Sequence, residues 1–263
     1  MTYDARELAR VRNPVLLLSG LTWILLLAGP FGMVGHAHFH AARSGAMPLG
    51  MSFRTLLAMN PPATLAANWL LMLVAMMAPV LIPPIRHIRQ RSFRRRRARA
   101  TALFVAGYAA IWMAVGAVAL AIELAVKLFA PQSYLPAAAV LLLASVWQVS
   151  PIKQRCLNRC HANTALAAFG AAADLDALRF GLRHGIWCAA SCWALMLFPL
   201  LLPRGHTVAM VAVAFLIFSE RLERAMPPSW RWRGLGSVTR IAIAQTRMRL
   251  DAGTRSWAFP SVT

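Results

Sequence analysis

All four cysteines fall in two copies of one spacing, CLNRC with Cys156 and Cys160, and CAASC with Cys188 and Cys192. On a helix, residues four apart share a face, so each pair presents two sulfurs together. Deprotonated thiols are ligands for soft or borderline ions, with Cu(I) and Zn(II) first among them. Binding removes the thiol protons, and the ion then offsets the cost of negative charge beside hydrocarbon. The alternative is that the cysteines are small apolar residues packing helix against helix. The spacing is neither that of closely linked zinc ligands nor the CxxC of thiol exchange. Either pair alone reads first as packing; two pairs on adjoining segments bring a metal site level with that alternative.

Methionines extend the sulfur theme. Met196 lies four residues beyond Cys192, and Met72, Met76 and Met77 precede Pro79, Pro83 and Pro84. Thioethers accept Cu(I), although a methionine in an apolar helix also serves simply to pack. The prolines release backbone carbonyls that protein or water must satisfy. A second cluster is HAHFH, where His36, His38 and His40 are spaced to hold Zn(II), Cu(II) or Ni(II) with one further ligand, or to form a polar turn. The acids are few. Glu123 is placed to pair with Lys127, Glu220 stands beside Arg221 near an interface, and Asp174 and Asp176 read as solvated. There is no phosphate loop, HExxH or serine elbow, so no catalytic residue and no organic cofactor is assigned.

The elements that must position these groups are apolar helices. The chain has 263 residues, 59% hydrophobic, with a formal charge of +20. Six stretches are long and apolar enough, or nearly so, to cross a bilayer: 14–35, 67–85, 101–126, 133–150, 185–202 and 207–219. Basic residues fix the orientation. Of the 28 lysines and arginines, 24 fall in the N-terminal tail, the second and fourth connections and the tail from 221, leaving four for the other connections. That alternation puts both termini in the cytoplasm. It also argues against nucleic-acid binding, because the arginines are spread between apolar runs and do not share one soluble domain. The expected fold is all-α: a single polytopic domain over 1–263, with about six spans and a basic cytoplasmic tail at 221–263. Cys156, Cys160 and Cys188 then lie at the cytoplasmic interface, with Cys192 one turn deeper.

At this point the residues resemble a family. WQVSPIKQRCLNRC (Trp147–Cys160) is similar to the signature of DUF2182, uncharacterised bacterial proteins predicted to be metal-binding and integral to the membrane. NWLLMLVAMMAPVLIPPI, GYAAIWMAVG and GLRHGIWCAASCWALMLFP also fit, and together the stretches are spread along Asn68–Glu220. The motif positions are Gln148, Pro151, Lys153, Cys156 and Cys160, then Cys188, Cys192, Trp193 and Met196, with Met76, Met77 and Pro79. Trp147 stands where the family has tyrosine, and His161 where it has arginine. The resemblance implies a bacterial inner-membrane protein that binds metal.

Combined, these readings make the chain a metal-handling membrane protein. Its inner-face site is Cys156, Cys160, Cys188 and Cys192, with Met196, Met76 and Met77 lining an approach and His36, His38 and His40 as an outer capture point. Copper is the first choice of ion and zinc the second. Its partners are the bilayer, anionic lipids at the basic face, and a membrane or metal-carrier protein. A metal-free scaffold and a membrane thiol-redox protein are the alternatives.

Overall fold

The computed structural model describes residues 3–28, 61–130, 133–162, 164–167, 169–223 and 225–231. The histidines expected to form an outer capture point, His36, His38 and His40, lie outside these residues. Within them the chain is helical: α1 (Tyr3–Ala28), α2 (Pro62–Met77), a 3-10 turn (Ala78–Leu81), α3 (Ile82–Arg91), α4 (Arg97–Phe129), α5 (Leu135–Val149), α6 (Pro151–His161), α7 (Gly170–Leu201) and α8 (His206–Arg221).

Four stretches are long and apolar enough to cross a membrane: 7–28, 62–91, 97–129 and 170–201. The α5–α6 pair, bent by 67°, makes a fifth if it is one span. At 16 residues, α8 falls just short of the usual span length. The outward faces suit hydrocarbon, with Leu17, Leu21, Ile24, Leu142 and Val208 all more than half exposed.

Two breaks in the helices follow from proline. Pro79 has no N–H to donate to the carbonyl of Ala75, one helical turn earlier. Ser19 Oγ of α1 donates to that carbonyl instead, at 2.8 Å, so the break is held by a neighbouring helix. At the second break, Ser150 is extended and caps α6, its Oγ accepting from Lys153 N at 3.2 Å. Pro151 occupies the first position of α6, where its missing donor costs nothing.

The most extensive pairing in the fold is α4 against α7. Apolar burial drives helix association weakly where lipid is the alternative, so close approach and van der Waals contact carry more of it. Gly107 and Gly181 permit that approach. A Cβ on Gly181 would stand 2.1 Å from the backbone oxygen of Phe104, and one on Gly107 would stand 2.6 Å from that of Leu178. At the basic end, Glu7 of α1 is buried and pairs with Arg89 at 3.1 Å and Arg97 at 3.4 Å.

Three local expectations are corrected. Asp174 is not a solvated side chain: it binds Arg96 at 2.6 Å and Arg99 at 2.8 Å. Asp176 accepts from the backbone N–H of Ala167 at 3.0 Å. The helix of the fifth apolar stretch, expected from 185, begins at Gly170 and runs unbroken to Leu201, so His184 is helical and not part of a connection. The Glu123–Lys127 pair forms as expected.

Candidate metal centre

Alpha7 carries Cys188 and Cys192 on its inner face, 0% and 1% exposed. Ser191 Oγ donates to the carbonyl of Cys188 at 2.7 Å, and Cys192 Sγ donates to the same oxygen at 3.0 Å. Both bonds stay within one helical turn and fix the rotamers of two side chains at the site. Tyr108, reaching across from α4, shares a hydrogen bond between its hydroxyl and Cys188 Sγ at 3.3 Å. The buried indole Nε1 of Trp112 makes no full hydrogen bond and lies within electrostatic reach of Cys188.

A cation completes this side of the site. Arg221, the last residue of α8, donates from Nη2 to Cys188 Sγ at 3.1 Å and to Ser191 Oγ at 3.2 Å. The same guanidinium interacts with Cys160 of α6. One charged group therefore joins a thiol from each CxxxC pair. Among the described residues, no carboxylate lies within ion-pair distance of it.

Cys156 and Cys160 sit on α6, beyond the bend that ends α5. Both thiols are buried. A low-polarity environment disfavours the thiolate, so a bound cation or a nearby arginine is what makes these sulfurs anionic. All four cysteines are free thiols.

Beside the thiols is a buried ion pair. Lys153 Nζ donates to Glu220 Oε1 at 2.7 Å and to Gln148 Oε1 at 2.5 Å, and Gln148 Nε2 closes the triangle onto Glu220. Lys153 is 0% exposed and Glu220 2%. Glu220 thus turns inward to the α5–α6 bend and does not reach for an interface. Its neighbour Arg221 is aimed by the same anchoring of the α8 end. The WQVSPIK stretch is now readable in physical terms: Trp147 Nε1 bonds the carbonyl of Ala190 on α7 at 3.1 Å, Gln148 and Lys153 form the network, and Ser150–Pro151 set the bend.

Met76, Met77 and Met196 are buried in the same apolar cluster as Cys160, Cys188 and Cys192, whereas Cys156 is outside it. Among the described residues, no three His, Cys, Asp or Glu side chains converge on a point that could hold a metal. The sequence reading missed Arg221, Tyr108 and His184. His184 was detectable, because it precedes Cys188 by one turn and extends the Cys188–Cys192–Met196 stripe. It packs among Phe104, Tyr108 and Phe180, with ring centroids 5.8–6.1 Å apart.

These features define a class: helical proteins with membrane-length apolar helices and two pairs of free thiols, one of which is met by a partly buried arginine. Residues 66–243 match the model of the PpoB2 copper chaperone family, and the chain belongs to that family. The match encloses the stretch on which the resemblance to DUF2182 rests. No curated protein and no solved structure matches the chain.

Proposed function

We propose that this protein is a polytopic membrane copper chaperone that holds Cu(I) between thiolates of the two CxxxC pairs and passes it to a partner. The reading keeps six spans with both termini in the cytoplasm, α8 and the α5–α6 pair counting as one span each. The observation that carries it is the Arg221 guanidinium, which bonds Cys188 Sγ and lines the same cavity as Cys160 of another helix.

Two arguments favour copper over zinc. A tetrahedral Zn(II) site needs four N or S ligands, and the described residues do not bring even three together. Cu(I) is satisfied by a pair of thiolates. The second argument is charge. Cu(I) with two thiolates carries one negative charge, which Arg221 cancels. Zn(II) with two thiolates is neutral, so the partly buried arginine would remain without a countercharge, a less favourable state. The adjacent Lys153–Glu220 pair is neutral and leaves this balance unchanged.

Cys188 and Cys160 are the first pair of ligands, with Cys192 and Cys156 one helical turn from each as the alternates through which the ion moves. Met196, Met76 and Met77 supply soft, polarizable walls. The many arginines at the same end hold the protein against anionic lipid.

Mass spectrometry of metal content, on protein purified in detergent under reducing conditions without a polyhistidine tag, tests this reading. Native protein is expected to hold near-stoichiometric copper, and a folded variant with all four cysteines replaced by serine to hold none. A native protein that stays metal-free after loading with Cu(I) overturns it.

A further inference from the structure

Beside the thiols, a cavity of about 410 Å³ opens at the basic end of the helices. Its wall includes Arg86 and His87 of α3, Cys160 and His161 of α6, His184 of α7, and Arg221. A second cavity of about 280 Å³ shares His184 and Phe180 with it and adds Arg159 and Arg183. Among the described residues, four arginines and three histidines line the two hollows, and no acidic residue does. His184 Nε2 is buried here without a hydrogen-bond partner. Among the described residues Cys160 is the one thiol on the wall, and Arg221, also on the wall, bonds Cys188.

A cavity with this lining repels a free metal cation and attracts an anion. Copper(I) held by two small thiolates is such an anion. We infer that the cavity is a receiving site for Cu(I) delivered as an anionic complex with a small thiol that also bears carboxylates. The inference rests on the thiol-site reading above and names the form in which the metal arrives. The carboxylates meet Arg86 and the arginines of the second cavity, while the copper faces Cys160. Transfer is ligand exchange without redox change. The Cys160 thiol and then the Cys188 thiol bind copper, each giving its proton to a departing carrier thiolate. Two neutral carrier thiols leave, and the copper stays Cu(I) with one negative charge beside Arg221.

The arginines have a second reading, as the ordinary positive face of a membrane protein. The sign of the carrier's charge separates the two. Copper-free full-length protein is mixed anaerobically with Cu(I) supplied either as its anionic glutathione complex or as its cationic acetonitrile complex. Uptake is followed by the ultraviolet thiolate-to-copper absorption. The Arg86→Gln/Arg183→Gln variant is expected to take copper from the glutathione complex about tenfold more slowly at low salt, with the gap closing as salt rises. From the acetonitrile complex it is expected to be as fast as native or faster. S-methylglutathione, which keeps the carboxylates and lacks the thiol, is expected to slow native uptake from the glutathione complex. Equal slowing with both carriers, or no slowing with glutathione, overturns the inference while leaving the thiol site standing. If native protein takes copper from neither carrier, the thiol-site reading falls and the inference with it.

Discussion

The two CxxxC pairs have one spacing and two environments. Cys188 and Cys192 lie on α7, the most deeply packed of the long helices, where neighbouring groups from three helices fix them. Cys156 and Cys160 lie on an eleven-residue helix with polar residues through much of its length, and Cys160 faces an open cavity. The spacing brings each pair of sulfurs onto one face, and the helix that carries the pair decides whether that face is an anchor or a point of arrival. In the proposed function copper is held between Cys188, the anchoring ligand on α7, and Cys160, the ligand on α6 through which it arrives. The comparison can be broken at the support the two pairs share, at the pairs themselves, or at a single bond to one of them.

The shared support is the Lys153–Glu220–Gln148 network, which joins the start of α6 to the end of α8. Glu220→Gln leaves the Lys153 ammonium buried without its countercharge, which typically costs about 3–5 kcal/mol. A large fall in thermal or denaturant midpoint is expected, together with loss of copper from both pairs. Lys153→Met combined with Glu220→Leu removes both charges and is expected to recover much of the stability, because a buried pair replaced by apolar groups is often close to neutral. If Glu220→Gln is as stable as native protein, the network is not what fixes the α6–α8 geometry.

Next come the ligands. Removing a group that merely orients a metal ligand typically costs about 10–100-fold in affinity, and removing an anchoring ligand exceeds that. Cys188→Ser is therefore expected to weaken Cu(I) binding by more than about 100-fold, and Cys156→Ser by about tenfold or less. A competition titration against a Cu(I) chelator reads both. Equal losses at the two positions would collapse the distinction between anchor and exchange pair. Arg221→Gln belongs with the orienting groups: Cu(I) affinity is expected to fall about 10–100-fold while Zn(II) affinity holds or rises, and Arg221→Lys should restore part of the preference by restoring the charge.

The difference between the pairs was only half legible in the sequence. Local information was enough for the equal spacings, the apolar helices and the Glu123–Lys127 pair, because each is set by residues within a turn or a span. The partners of the thiols were not local. Tyr108 is 80 residues from Cys188 and Arg221 is 33, and no periodicity links them. Glu220 and Arg221, adjacent in sequence, read as partners of one another. In the fold their side chains diverge, one to Lys153 and the other to the thiols. His184, although it stands one turn before Cys188, was passed over for a different reason: the apolar pattern starts at Gly185, while the helix starts fifteen residues earlier at Gly170, since Asp174, Arg179 and Arg183 interrupt hydropathy without interrupting the helix.

The smallest expected effect isolates one bond of the anchor pair. Tyr108→Phe removes the hydroxyl that meets Cys188 Sγ and leaves the ring in its packing beside Phe104, Trp112 and His184. A single hydrogen bond is worth about 0.5–1.5 kcal/mol net, and more when one partner is charged. In the metal-loaded site the sulfur is a thiolate and the hydroxyl donates to it; without metal either atom can be the donor. The bond is thus stronger with copper bound than without it, and its loss should appear mainly as weaker copper binding. A drop in Cu(I) affinity of about tenfold, with little change in the midpoint of the copper-free protein, is expected. The same substitution should leave copper transfer onto Cys160 unaffected in rate, because the hydroxyl touches only the deeper pair. If instead the copper-free protein loses stability and copper affinity holds, the hydroxyl is a packing contact of α4 against α7, and Cys188 is held by Arg221 and its own helix alone.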